Sequence, residues 1–214
     1  MTLDQAPLAA RLRAQFGDID VYLFDQLLRG RLVEGMTVLD AGCGRGRNLT
    51  FLMRSDFDVW GVDESADAIA SVRQLAADIA PRLPPDRFRV ERVEAMSHQS
   101  ASMDFVISSA VLHFATDEAH WLAMVREMWR VLAPGGILFA RLATTIGQTR
   151  LHALGGGRYV MPDGDSRFLV DHERLISVTN ELGGTLVDPL KSTVVHNQRS
   201  MGTWVVKKAS DSDG

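Results

Sequence analysis

The segment 36–46 (MTVLDAGCGRG) constrains the fold more than any other part of the chain. A short apolar run ends on an acid, Asp40, three glycines follow at alternate positions, and a helix-like stretch begins at 48–54. An apolar run this short, closed by glycines, reads as a buried strand that turns sharply into a helix. The pattern recurs. Residues 58–62 (DVWGV) lead to Asp63, and 65–79 carry apolar residues at helical spacing, with Ser65 placed as an N-cap. Residues 88–93 alternate as a strand does, and 105–109 (FVISS) form a buried-strand candidate. Over 121–132, Trp121, Met124, Val125, Met128, Trp129 and Leu132 share one helical face, Pro134-Gly135-Gly136 stop the helix, and 137–142 start the next strand. Strands alternating with helices predict parallel βαβ units with right-handed crossovers.

The C-terminal third differs. Residues 144–167 contain Gly155, Gly156, Gly157, Pro162 and Gly164 with little periodicity, and a helix follows near 172–182. The runs 185–196 and 200–207 flank Asn197-Gln198, a hairpin signal. The expectation is an α/β, doubly wound, mostly parallel seven-stranded sheet that ends in an antiparallel hairpin. Residues 1–30 form a helical cap in this reading, 31–208 one domain, and 209–214 a frayed tail.

The 214 residues suffice for one full core, and a net charge of −4 without a basic run disfavours a nucleic-acid partner. Cys43 is the single cysteine, which excludes an internal disulfide and a thiolate zinc site. No metal constellation stands out. The N-terminus has no long apolar core of a signal peptide, and no stretch is long enough to span a bilayer, so a cytoplasmic enzyme, monomeric or homodimeric, is expected.

The glycine segment carries the chemistry. Ligands of open α/β sheets bind at the carboxyl ends of the strands, against bare backbone and a helix N-terminus. A dinucleotide loop would place its third glycine at position 47, where Arg47 stands. Asp40, two residues ahead of Gly42, would repel a pyrophosphate and attract an ammonium, which favours a cationic amino-acid ligand. Asp63 lies about 20 residues past the loop, at the spacing of an acid that accepts from ribose hydroxyls. Glu94 is expected to end the third strand facing an adenine, and Ser108 and Ser109 to end the fourth.

These residues resemble a known family. VLDAGCGRGRN, GVDES, DFVISSAVLHF and RVLAPGGILFARL look like the successive motifs of the class I S-adenosylmethionine-dependent methyltransferases, covering roughly 32–142. The resemblance implies S-adenosylmethionine as cofactor, S-adenosylhomocysteine as product and a small-molecule acceptor. It implies that Asp40, Gly42 and Gly44 bound the methionine part, that Asp63 and Glu64 meet the ribose, that Glu94 with Ala95 borders the adenine, and that Ser109 approaches the methionine through its backbone. The Gly46-Arg47-Asn48 triplet and the short chain are also similar to the bacterial tellurite-resistance methyltransferases, whose last hairpin carries a histidine and arginines facing the substrate. The matching positions are His196 and Arg199. The hairpin and residues 144–167 depart from that family, so the acceptor does not transfer with the fold.

Several residues have two readings. Arg47 suits the ligand carboxylate, an anionic substrate or a solvated first turn. His113 suits a general base or a packed histidine, Cys43 is better as filler than as nucleophile, and Tyr22 and Phe24 suit a cofactor cap or plain core packing. Asp104, at the far end of its strand, reads as structural. Residues 144–167 are expected to form a mobile lid. The rivals are a nicotinamide oxidoreductase on the same fold and a non-catalytic binding module. The chain lacks the Asn/Asp-Pro-Pro-aromatic run associated with base methylation.

Overall fold

The computed structural model describes residues 6–148, 151–196 and 198–210. In chain order the elements are α1 (Leu8–Phe16), α2 (Val21–Leu28), β1 (Thr37–Ala41), α3 (Thr50–Arg54), β2 (Asp58–Asp63), α4 (Ala66–Ile79), β3 (Phe88–Val90), β4 (Met103–Ser109), α5 (Glu118–Val131) and β5 (Leu132–Ala143). There follow β6 (His152–Gly155), β7 (Arg158–Val160), β8 (Ser166–Phe168), α6 (His172–Glu181), β9 (Gly184–Leu186), β10 (Lys191–Val195) and β11 (Arg199–Lys208). Single 3-10 turns cover Pro85–Arg87 and Leu112–Phe114.

The main sheet runs β10-β11-β5-β4-β1-β2-β3. β1 to β5 are mutually parallel, and β11 returns antiparallel beside β5. The outer position beyond β11 is shared: β10 pairs with its first half and β9 with its second, so the sheet has eight strands in seven places. The break between β9 and β10 holds Asp188-Pro189, where proline has no N–H for a ladder. Asp188 is turned instead to Arg31, whose Nη1 donates to Oδ2 at 2.6 Å.

Two layers bury the sheet. On one face, Leu23 of α2, Leu52 and Met53 of α3, and Ile69, Val72 and Ala76 of α4 pack on Val38, Phe105, Ile107 and Phe139. On the other face, α5 buries Trp121, Met124, Val125, Met128 and Trp129 against Leu39, Val106 and Leu138, with Leu175 and Val178 of α6 alongside. Each such large side chain contributes about 2 kcal/mol. Asp20, Ser65, Asp117 and Asp171 cap the N-termini of α2, α4, α5 and α6 with their side chains. Ser65 does so where expected. Asp104 accepts from Thr37 N–H at 2.8 Å, which ties β4 to the start of β1 and fits its structural reading.

Two sequence expectations change. β3 stops at Val90, so Glu94 lies four residues beyond the strand, in the following turn. Residues 152–168 are not irregular; they form a three-stranded antiparallel sheet, β6-β7-β8. Its strands are three or four residues long, too short to display alternation, and Gly155, Gly156 and Gly157 close its first turn at positive φ. The Asn197 half of the expected hairpin turn and the end of the tail lie outside the described residues.

Candidate active site at the carboxyl ends of β1, β2 and β4

The carboxyl ends of β1, β2 and β4 surround a cavity of about 480 Å³. Gly42, Asp63, Glu64, Arg92, Val93, Glu94, Ser109, Ala110, Val111, Phe114, Thr116, His120 and Met124 line it. A volume of this size suits a nucleoside-bearing ligand.

The bend after β1 is fixed by backbone bonds. Gly42 and Cys43 both donate to Val62 O at 2.9 Å. Gly42 has φ 85°, and a Cβ there would lie 2.4 Å from Val111 Cγ2. A protein side chain, Val111, thus makes a close approach to this glycine, which also lines the cavity. Gly44 differs: it has φ 52°, and a Cβ on it would meet nothing within 4 Å. Its surroundings are open, as a ligand resting on backbone requires.

Asp40 is 1% exposed, and neither carboxylate oxygen has a hydrogen-bond partner among the described residues. Its pKa rises to about 7; burial is the main cause, Asp63 adds to it, and the Arg47 charge and the Asn48 side chain oppose it. A buried carboxyl without a well-formed hydrogen bond is costly. A cationic group beside it would remove that cost. Asp63 is already engaged: Oδ2 accepts from Gly44 N–H and Oδ1 from Ser65 N–H, each at 2.9 Å. Those bonds are a structural role that the sequence left unexplained, and they leave about half of the carboxylate's lone-pair sites open.

Glu94 reaches the cavity from its turn rather than from a strand. Arg92 Nε is 2.6 Å and His120 Nε2 3.3 Å from Oε1. Partial burial would raise the Glu94 carboxyl, but its own backbone N–H, His120 and Arg92 outweigh burial and hold it below the ordinary value. His120, in the first turn of α5, was missed because that helix reads as core; its Nδ1 accepts from Thr116 N–H at 3.2 Å, and Nε2 is buried without a hydrogen bond of good geometry. The only local hint was Asp117 as the cap three residues ahead. Ala95 is exposed and does not line the cavity.

Arg47 Nη2 donates to Ser109 Oγ at 2.9 Å, spanning from the glycine bend to the end of β4. Ala110 follows at φ 66°, a left-handed position that costs an alanine about 1 kcal/mol and swings the chain into the 112–114 turn. His113 in that turn is 9% exposed, its Nδ1 buried without partner, and burial with the Arg167 charge lowers its pKa to about 4. It is a neutral imidazole at pH 7. The neighbouring Phe114, not His113, lines the cavity.

Other candidates sit elsewhere. The turn carrying His196 and Arg199 is on the correct edge of the sheet, because Met201 pairs with Ala143 at the end of β5. Both residues are exposed, and neither lines the cavity. Cys43 is buried, which pushes its thiol up and leaves it inert filler. Tyr22 caps no part of the cavity; its ring covers Arg141 at 4.3 Å, and its hydroxyl is 2.6 Å from Thr193 Oγ1. Phe24 packs edge-on against Phe16.

A parallel α/β sheet with an acid-glycine bend over a cavity at its strand ends is the architecture of the Rossmann-like methyltransferase fold. A SAM-dependent methyltransferase from Methanosarcina mazei superposes with a TM-score of 0.70 at 19% identity, covering 86% of this chain and 98% of that one. The 1,6-didemethyltoxoflavin-N1-methyltransferase of Burkholderia thailandensis, with its substrate and S-adenosylhomocysteine bound, gives 0.66 at 19% identity over 86% of this chain and 75% of that one. Residues 38–136 match the family described as Methyltransferase domain. The ubiquinone biosynthesis O-methyltransferase of Methylocella silvestris is 30% identical over 131 residues, 61% of this chain and 49% of that one. The match thus spans about half the length of such curated relatives.

Proposed function

We propose that this chain transfers a methyl group from S-adenosylmethionine to a small-molecule acceptor. The observation that carries the reading is Asp40: a buried carboxyl with no well-formed hydrogen bond among the described residues, two positions before the cavity-lining Gly42, fits the ammonium of a methionine moiety and would oppose a diphosphate. Asp63 and Glu64 face the ribose in this reading, Glu94 with His120 the adenine, and Arg47 the carboxylate. The bound cofactor supplies a methyl group on a sulfonium, already activated for in-line displacement. The chain's own part is to hold donor and acceptor in line and to exclude water. A hydroxyl or amine acceptor needs a base; His113 is the candidate, but it is buried next to the cavity rather than lining it and its low pKa makes it a weak base, whereas a thiolate-like acceptor needs none.

Two parts of the fold complete the proposal. α2 acts as a cap held to the cofactor loop, since Asp20 N–H donates to Asn48 Oδ1 at 3.0 Å. The small sheet acts as a lid resting on the 112–114 turn: Arg158 Nη1 donates to Ala115 O at 3.3 Å, and Arg167 lies 5.0 Å from the Phe114 ring.

The test is binding by calorimetry. S-adenosylhomocysteine should bind and NAD should not, and Asp40→Ala should weaken S-adenosylhomocysteine by about ten- to hundredfold, the loss of a charge-assisted bond worth about 1.5–3 kcal/mol. Unchanged affinity in Asp40→Ala, or tighter binding of NAD, overturns the reading. Conversion of donor to S-adenosylhomocysteine across thiols, chalcogen oxyanions, phenols, amines and carboxylic acids then separates a catalyst from a binding module.

A further inference from the structure

Arg141 is a buried cation, ion-paired to Asp20, that is not among the residues lining the cavity. It stands near the carboxyl end of β5, 8% exposed, beside Ser109 in the β4–β5 register. Its Nη1 donates to Thr203 Oγ1 at 2.9 Å and to Met201 O at 3.4 Å, and Nε reaches Asp20 Oδ2 at 3.4 Å. Nη2 has no hydrogen-bond partner among the described residues. The Tyr22 ring covers the guanidinium, which fixes its plane. A guanidinium so oriented, with one nitrogen to spare, is prepared for an oxyanion.

Its surroundings say which molecule would bring that oxyanion. The cofactor-side groups stand on β1, β2 and the end of β4, with Arg47 the cation that acts on Asp40. Arg141 lies on β5, across β4 from them, and β11 is its other neighbour. Two residues further along the same face of β5 is Ala143, paired with Met201. Ala143 and Met201 pack with Met161, Leu169 and Tyr159 at the small sheet. Beyond the guanidinium the neighbouring side chains are therefore apolar.

Building on the methyltransferase reading, we propose that Arg141 recognises a carboxylate on the methyl acceptor, whose apolar or aromatic body packs against Met201, Met161 and Tyr159. The acceptor class is then a hydrophobic organic acid. Arg141 is a specificity-determining residue, and Asp20 exchanges its long contact for the incoming anion.

The experiment compares matched acid and amide probes, trans-cinnamate with trans-cinnamamide and indole-3-acetate with indole-3-acetamide, titrated into the whole chain saturated with S-adenosylhomocysteine. At least one acid should bind about tenfold more tightly than its amide, and Arg141→Gln should abolish that preference while changing S-adenosylhomocysteine affinity less than about twofold, with Arg141→Lys intermediate. The retained cofactor affinity reports that the variants fold. Equal binding of acid and amide, no acid binding at millimolar concentration, or a preference that survives Arg141→Gln overturns the proposal. So does an Arg141→Gln variant that loses S-adenosylhomocysteine and keeps the acid, since the guanidinium then serves the cofactor's carboxylate. Should the wild-type chain not bind S-adenosylhomocysteine, the functional reading fails instead; the pairs are then compared without it under the same criteria.

Discussion

Asp40 and His113 are both buried titratable groups, and burial moves them in opposite directions. The Asp40 carboxyl goes from 3.8 to about 7, and the His113 imidazole from 6.5 to about 4. For Asp40 the folded value is the higher one, so the ligand-free protein holds an extra proton between those limits and loses stability as pH rises through them. A cationic ligand needs the ionised form, so binding releases that proton. Affinity for S-adenosylhomocysteine should fall about tenfold from about pH 8 to about pH 6, and Asp40→Asn should bind weakly with no such slope. A wild-type profile that is flat over this range would show that Asp40 does not meet the ammonium. For His113 the folded value is lower, so its contribution is present above about 6.5 and is lost as pH falls toward about 4. If it serves as base, His113→Gln should lower the maximal rate with a phenol and leave cofactor affinity unchanged. An equal loss with a thiolate acceptor would assign it to packing.

At the scale of elements, the β1–α3 bend and the small sheet carry separate predictions. Gly42→Ala adds a methyl 2.4 Å from Val111 at φ 85°. The cost should be about 2–4 kcal/mol by denaturant unfolding. Adding Val111→Ala should recover part of it, giving a non-additive double-mutant cycle, whereas strict additivity would mean that the two residues do not compete for space. The small sheet rests on the 112–114 turn through Arg158 and Arg167. As a lid it should be cut more slowly by protease within residues 152–168 when S-adenosylhomocysteine is bound. Identical cutting with and without the ligand would remove the lid role. Sequence patterning found most strands and helices of the main sheet, because their apolar periods run long enough to read. It missed the small sheet, and it extended β3 too far by counting Val93 into the strand, although strict alternation already breaks at Glu91-Arg92, where the ladder ends.

Across the whole molecule, the sheet order brings together residues that the chain keeps far apart. Arg141 meets Asp20, Tyr22 meets Thr193, and Glu94 meets His120. Chain order and local chemistry were enough for the succession of βα units, the Ser65 cap and the acid-glycine bend, because helical period, strand period, capping and positive φ act within a few residues. Those same signals marked Asp40, Gly44 and Asp63 as candidates. What only the tertiary structure decided was the environment of each group: that buried Asp40 makes no well-formed hydrogen bond among the described residues, that Gly42 meets Val111, that His120 joins Glu94, and that Arg141 stands on β5, beside β4, ion-paired to Asp20. Desolvation and charge depend on what packs around a side chain, and that packing comes from strands and helices distant in sequence.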